Sequence, residues 1–138
     1  MGSTMGHVEA IAAIERLLAS YALLFDSEDV AGCADLFTHD CEFVVDGAVA
    51  ASGRAGVAAW FGDVIARGAG GIHLPAPPLI DVAEDGTTAT IWQSFLFVAN
   101  RSNVVVRGMY RDQAELDGTA WRFKRRAVEM FPGPQPES

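Results

Sequence analysis

The sequence is poor in basic residues and especially in lysine. Its 138 residues include ten Lys and Arg, of which Lys124 is the one lysine, against eighteen Asp and Glu, and the formal net charge is −8 at pH 7. Proteins that bind nucleic acid or an anionic membrane surface rely mainly on Lys and Arg contacts to phosphates. The composition therefore excludes nucleic acid and a charged membrane surface as partners.

Cysteine is scarce, and long apolar runs are missing. Cys33 and Cys41 are too few for a disulfide framework, and the residues near them lack the spacing of a metal site. No run reaches the roughly 18 apolar residues that a membrane-spanning helix needs, and residues 1–7 do not resemble a secretory signal. We expect one cytoplasmic domain over residues 1–138, with flexible tails at residues 1–7 and 132–138. Because this length leaves no room for a cofactor domain, we expect side chains alone to supply any chemistry, with no cofactor and no metal.

The first half of the chain has the pattern of helices. Ile14, Leu18, Tyr21 and Phe25 recur at helical spacing and predict an amphipathic helix over residues 8–25. The acidic segment at residues 26–29 should end that helix and begin a second one over residues 29–37. We expect a turn at residues 38–40 and a first strand at residues 41–46. A third helix is predicted from Ser52-Gly53 to residue 67, because three glycines within residues 68–71 interrupt it.

The second half predicts an antiparallel meander. Three segments rich in β-branched and aromatic residues, 87–100, 103–116 and 120–131, are separated by turn signals. Residues 72–83 are extended, and their three prolines favour an edge or a bulge. Helices followed by a curved antiparallel sheet indicate an α+β fold in which the helices cover one face of the sheet.

The strand at residues 87–100 is apolar on both faces. One face would carry Trp92, Leu96 and Val98, and the other Ile91, Phe95 and Phe97. A strand at the protein surface would show one polar face. We therefore expect one face to line a core or pocket for a small hydrophobic substrate, and the other to contact a second subunit in a homo-oligomer.

Several motifs follow one another in order along the chain. IERLLASY at residues 14–21 precedes FDSED at 25–29, ADLFTHDCEF at 34–43, GRAGV at 53–57, His73, GMY at 108–110 and WRFKRR at 121–126. Together, over residues 10–130, they resemble the SnoaL-like domain of the nuclear-transport-factor-type superfamily. The resemblance implies a cone-shaped α+β barrel, with three helices packed on a curved, mostly antiparallel sheet that encloses an apolar pocket. It also implies assembly as dimers or trimers.

Asp26 and His73 form the candidate catalytic pair. In the dehydratase and dehydrochlorinase branches of the family, the positions that match Asp26 and His73 hold an Asp–His dyad. A histidine paired with a carboxylate is held in one tautomer and accepts a proton near neutral pH, and we expect the pairing to raise the pKa of His73. Two structural alternatives stay open. Asp26 would instead cap the second helix, and His73 would be an ordinary half-buried histidine.

The resemblance also implies residues that bind the substrate. Arg126 matches a family arginine that reaches into the pocket and stabilises negative charge. Its alternation with Arg122 and Lys124 fits a solvated strand face equally well. Tyr21 matches a position where relatives place a polar pocket group, although it also belongs to the apolar stripe of the first helix. The other candidate pocket walls are Trp92, Ser94 and Tyr110.

These residues favour a cofactor-independent lyase of the dehydratase type. Its expected substrate is a small apolar compound, and polycyclic compounds are included in that class. Scytalone itself is disfavoured, because Phe25 stands where scytalone dehydratase has a tyrosine and residues 87–100 contain no histidine. Isomerisation or polyketide-type cyclisation would use the same dyad. In a non-catalytic small-ligand-binding protein, Asp26 and His73 would lie too far apart to form a hydrogen bond.

Overall fold

The computed structural model describes residues 4–102 and 104–131, which form three helices and a sheet of seven strands. The helices are α1 (Thr4–Asp26), α2 (Val30–Ala34) and α3 (Gly53–Ala66). The strands are β1 (Phe37–Val45), β2 (Ala48–Ser52), β3 (Gly71–Pro75), β4 (Leu79–Val82), β5 (Thr88–Ala99), β6 (Val105–Asp117) and β7 (Ala120–Phe131).

Helix α1 buries the predicted apolar stripe. Ile14, Leu18, Tyr21 and Phe25 lie in the core, because residues three or four positions apart share one face of a helix. The helix ends at Asp26, as predicted, but it begins before residue 8, so residues 4–7 belong to it and not to a tail. The other predicted tail residues, 1–3 and 132–138, lie outside the described residues.

The predicted second helix is too long. Asp29 caps α2 by accepting a hydrogen bond of 2.9 Å from the Gly32 amide, but the helix ends at Ala34. The predicted turn at residues 38–40 is part of β1 instead. Phe37 pairs in parallel with Phe123 of β7. The chain has therefore entered the sheet at a residue whose apolar spacing predicted the end of the second helix.

Strand β2 was not predicted. Asp46 and Gly47 both have positive φ, 48° and 84°, and they turn the chain so that β2 pairs with β1 as a hairpin. Residues 48–52 contain mostly alanine, and alanine gives little signal for a strand. Ser52 then precedes α3, which begins at Gly53 as predicted and ends at Ala66, one residue earlier than predicted.

The sheet has the order β2-β1-β7-β6-β5-β3, and β4 also pairs with β5. All neighbours are antiparallel except β1 and β7. The three helices pack on its inner face, while β2 and β3 leave the sheet open at its two ends. This arrangement confirms the α+β fold and the predicted meander of the last three strands. No helix in the described part of the chain is long and apolar enough to cross a membrane.

A β-bulge in β7 decides which side chains point inward. Phe123 pairs with Ala114, and Arg125 pairs with Gln113, so Lys124 is an extra residue between two ladder positions. An extra residue reverses the alternation of faces beyond it. Phe123 and Arg126, an odd number of positions apart, are therefore both buried. The prediction of one face shared by residues 122, 124 and 126 is wrong for this reason.

Candidate active site

Asp26 and His73 meet where the end of α1 faces the edge strand β3. His73 lies on the inward face of β3, opposite Phe97 of β5. Its ring Nδ1 is 2.8 Å from Asp26 Oδ1. The backbone N–H of His73 also donates to the same carboxylate, at 3.0 Å to Oδ2 and 3.2 Å to Oδ1. The alternative role of Asp26 as the cap of α2 is wrong, because Asp29 fills it.

These hydrogen bonds determine the tautomer of His73. Because the Asp26 carboxylate accepts, Nδ1 carries the proton, and Nε2 has a free lone pair. Nε2 is 3.2 Å from the hydroxyl oxygen of Tyr110, which therefore donates to it. The imidazole has one fixed orientation, with its basic nitrogen beside Tyr110.

The pKa of His73 moves in the direction opposite to our expectation. Burial lowers it below its ordinary value, and the hydrogen bond and charge of Asp26 offset only part of that change. The charge of Arg126 lowers it further. The pairing with Asp26 does raise the pKa, as expected, but the expected net rise is wrong, because desolvation of the imidazolium outweighs the pairing. A lowered pKa keeps the imidazole neutral, as a base requires at neutral pH.

A cavity of about 150 Å³ lies beside this pair. Its walls are aromatic and aliphatic, with polar groups from His73, Tyr21 and Tyr110. The lining residues are Tyr21, Phe25, Phe43, Val45, Trp60, Val64, Ala69, His73, Phe95, Phe97, Tyr110, Val128 and Met130. An apolar cavity of about this volume holds one benzene-sized ring, and sites for drug-sized ligands are usually larger than about 300 Å³.

Two glycines make room for the phenylalanine rings on either side of His73. A Cβ at Gly108 would lie 2.4 Å from the Phe95 ring, and one at Gly71 would lie 2.6 Å from the Phe97 ring and 2.3 Å from the carbonyl oxygen of Val98. The ring centroids of Phe97 and Phe95 are 4.9 and 5.7 Å from that of His73. Glycine at both positions thus lets the aromatic walls approach the candidate base.

Arg126 lies beneath the cavity wall and is not among the residues that line the cavity. It is 1% exposed, and its Nη1 is 3.3 Å from Oδ2 of Asp112. Its guanidinium carbon is 3.5 Å from the centroid of the Tyr110 ring and 4.1 Å from that of Tyr21. The expectation of direct reach into the pocket is wrong, as is the solvated alternative, because two tyrosine rings cover the cation.

Asp112 is a functional candidate that sequence reasoning missed. Neither of its carboxylate oxygens has a hydrogen-bond partner among the described residues, and burial raises its pKa to about 7, against the lowering effect of Arg126. A sequence signal existed. Asp112 stands two positions after Tyr110 in a predicted strand, a spacing that places both on one face, and Gly108, Tyr110, Asp112 and Ala114 are the buried inward positions of β6.

The structure divides the predicted wall residues between the two faces of the sheet. Tyr21 and Tyr110 line the cavity. Trp92 and Ser94 point to the outer face, because the inward positions of β5 are Ala89, Ile91, Gln93 and Phe95. Their assignment to this pocket is wrong, since β5 is apolar on both faces and its pattern did not fix its orientation. In the described part of the chain, no group of His, Cys, Asp and Glu side chains is arranged to hold a metal ion.

Comparisons with known proteins agree with this architecture. Residues 6–127 match the family described as SnoaL-like domain. A comparison with curated proteins finds no match. A provisionally assigned scytalone dehydratase from Novosphingobium aromaticivorans is 25% identical, with a TM-score of 0.82 over 94% of this chain and 89% of that chain.

Two further solved structures have the same fold. A protein of unknown function from Mycobacterium tuberculosis is 28% identical, with a TM-score of 0.83 over 95% of this chain and 77% of that one. A hexachlorocyclohexane dehydrochlorinase from Novosphingobium barchaimii is 18% identical, with a TM-score of 0.83 over 94% and 92% of the two chains. At that low identity, the last likeness concerns the fold alone.

Proposed function

The chain belongs to the SnoaL-like domain family, and from this membership we propose that it is a cofactor-independent lyase. His73 is the base that removes a proton from carbon, and Asp26 orients it. The hydrogen bond of 2.8 Å between Nδ1 and Oδ1 is the observation that supports this function most strongly. A non-catalytic binding protein has no need for that hydrogen bond beside a cavity.

The proposed reaction begins with the neutral imidazole. Nε2 takes a proton from a substrate carbon, and the electron pair of the C–H bond forms the new double bond as a leaving group departs from the neighbouring carbon. The resulting imidazolium is stabilised by its hydrogen bond to the carboxylate of Asp26. The leaving group then takes the proton from Nε2, or solvent removes it, and the base is restored.

The cavity supports a proposal about the substrate class. Its volume of about 150 Å³ and its aromatic walls suit an uncharged compound with a single ring. Such a compound is smaller than the polycyclic substrates that the sequence analysis included. The name of one similar protein, a provisionally assigned scytalone dehydratase, is consistent with an elimination. Isomerisation differs only in where the proton returns, and it uses the same base. Cytoplasmic location and homo-oligomeric assembly remain predictions of the sequence.

Elimination from single-ring compounds tests the proposal. The panel contains β-hydroxy cyclohexanones and halogenated cyclohexanes, and the products are followed by NMR with the wild type, His73→Gln, Asp26→Asn and the outer-face control Trp92→Phe. We expect both dyad variants to lose about 10²- to 10⁴-fold in rate, the usual contribution of a positioned base. The Trp92→Phe variant should match the wild type. Turnover that survives in His73→Gln, or a wild type that is inactive on the whole panel, would overturn the proposal.

A further inference from the structure

The cavity beside His73 is enclosed on one side and opens to solvent on the other. Most of its wall is buried, including Tyr21, His73 and Tyr110. The wall residues that also reach solvent are Val45, Trp60, Ala69, Phe97 and Met130. Residues that contact both the cavity and solvent mark its opening. A ligand therefore enters between α3 and the ends of β1, β5 and β7, and meets His73 on the enclosed side.

The sheet side of this opening is held by backbone contacts. The amide of Met130 donates to Oδ1 of Asp46 at 2.9 Å, and the amide of Asp46 donates to the carbonyl oxygen of Val128 at 2.9 Å. These two bonds tie the turn between β1 and β2 to the end of β7. On β5, the Phe97 ring lies so close to Gly71 that a Cβ there would be 2.6 Å from it. The part of the sheet that borders the opening is therefore fixed in position.

Trp60 forms the helical side of the opening. It lies one turn before Val64 on α3, it is half-buried, and it has the largest side chain of the residues at the opening. Its ring packs on Phe43 with centroids 4.7 Å apart, and on Phe61 with centroids 5.3 Å apart. Trp60 and Phe43 both line the cavity, so the space that a smaller side chain at residue 60 leaves would join the cavity.

We propose that Trp60 is the specificity-determining residue of this site, and that its indole limits the substrate to a single ring. This inference deepens the proposed function and rests on it, because it takes the cavity beside His73 as the substrate site. The cavity of about 150 Å³ holds one benzene-sized ring, so a second fused ring must extend through the opening. Because the sheet side of the opening is fixed, the indole decides whether that second ring fits.

The limit acts through size and not through charge. Among the described residues, those at the opening are all uncharged, and they offer an anionic or cationic substituent no partner. A compound with two rings buries more apolar surface than one with a single ring, and it binds more tightly wherever both fit. A well-packed wall tolerates little added volume, so a cavity that is too small reverses this order. The order of the two affinities thus reports whether the limit is present.

Binding of fluorobenzene and 1-fluoronaphthalene, measured by ¹⁹F NMR titration, tests the role of Trp60. We expect the wild type to bind fluorobenzene about tenfold more tightly than 1-fluoronaphthalene, and Trp60→Leu to reverse this order. Trp60→Phe should reduce the preference by a smaller factor. Trp121→Leu is the matched control, because Trp121 is also half-buried against the core but does not line the cavity. This control should keep the preference of the wild type.

The same titrations can overturn the inference. It fails if the wild type binds 1-fluoronaphthalene as tightly as fluorobenzene, or if it binds neither probe. It also fails if the preference persists in both Trp60 variants, or if Trp121→Leu abolishes it as well. Thermal unfolding shows whether each variant is folded. If Trp60→Leu is unfolded, the change of preference in Trp60→Phe decides.

Rates of elimination separate this inference from the proposed function. The substrates are a β-hydroxy cyclohexanone and a bicyclic β-hydroxy ketone, and kcat/KM is compared between them. We expect Trp60→Leu to raise the ratio of bicyclic to monocyclic turnover about tenfold, and His73→Gln to lose both activities. If the probes bind in the expected order but the wild type eliminates from neither ketone, the proposed function fails and the size limit stands. If the wild type is active and Trp60→Leu changes neither ratio, the size limit fails and the base survives.

Discussion

Two aspartate carboxylates in or beside the candidate site, Asp26 and Asp112, are held in different ways. Asp26 accepts three N–H contacts from His73, two from the backbone and one from the ring, and its side chain is 18% exposed. Asp112 is fully enclosed beside Arg126 and accepts no hydrogen bond among the described residues. One aspartate is satisfied by hydrogen bonds, and the other depends on charge alone.

The difference assigns the two pairs to different tasks. Hydrogen bonds fix the direction of His73, so the Asp26–His73 pair sets which nitrogen faces the cavity. The Asp112–Arg126 contact of 3.3 Å sets no such direction. The contact keeps the Arg126 cation beneath the rings of Tyr21 and Tyr110. The Asp112 carboxylate is removed from water in return, and this burial raises its pKa to about 7.

Removing the cation of the second pair should have the largest effect on stability. Arg126→Met leaves Asp112 buried without a counter-charge, and breaking a buried ion pair usually lowers the free energy of unfolding by about 3–5 kcal/mol. Urea denaturation at pH 7.5 measures this loss. A loss below about 1 kcal/mol would show that the cation is not held as tightly as its burial indicates.

Removing both charges should restore the stability that is lost when Arg126 alone is replaced. In Arg126→Met combined with Asp112→Leu, no buried charge remains, and replacement of such a pair by apolar residues is often neutral or stabilising by about 1–4 kcal/mol. The double variant should unfold at a urea concentration similar to that of the wild type. Additive losses in the double-mutant cycle would contradict a direct coupling between the two residues.

The two pairs should change stability with pH in opposite directions. Because its pKa is raised, Asp112 contributes to the free energy of unfolding at low pH. This contribution is complete below about pH 4 and is lost as the pH rises through about 7. Because its pKa is lowered, His73 contributes to the free energy of unfolding at high pH. This contribution is complete above pH 6.5, the ordinary pKa of histidine, and is lost as the pH falls through the pKa of His73 in the folded protein.

Variants separate these two contributions. Between pH 5 and 7, Asp112→Asn should remove a decline in the free energy of unfolding with rising pH, which for one proton is at most about 1.4 kcal/mol for each pH unit. In the same range, His73→Gln should remove a rise in that free energy. The free energy of unfolding at each pH measures both slopes. Identical pH profiles for the wild type and Asp112→Asn would refute the raised pKa of Asp112.

Asp26→Asn should have the smallest effect on stability. The amide oxygen of asparagine can still accept from the backbone and ring N–H groups of His73, so we expect a loss of about 1 kcal/mol in the free energy of unfolding. Activity, in contrast, should fall sharply. A loss of stability comparable to that of Arg126→Met would mean that the Asp26 carboxylate has mainly a structural role.

The sequence predicts the helices and the meander well, because spacing within one element carries that information. The apolar stripe of α1, the glycines after α3 and the turn signals between the last strands are all local. The ends of α2 and β1 were misplaced because pairing of Phe37 with Phe123 joins residues that are distant in sequence. A local pattern cannot contain such a contact.

The site was predictable in part. Asp26 and His73 were identified through the family resemblance, but only the fold brings a helix end and an edge strand within hydrogen-bond distance. Trp92 was placed on the wrong face because both faces of β5 carry large apolar residues. Arg126 could not be placed, because the extra residue at Lys124 reverses the alternation of β7 without any local signal.

The protonation state of His73 tests the central claim most directly. Long-range ¹H–¹⁵N correlation spectra of the imidazole nitrogens, assigned with His73→Gln, distinguish the two neutral tautomers and the imidazolium. The account predicts a neutral ring at pH 7 with the proton on Nδ1, a pKa below 6.5, and a further decrease of that pKa in Asp26→Asn, because Asp26 raises it. A proton on Nε2, or an imidazolium at pH 7, would contradict the assignment of His73 as the base.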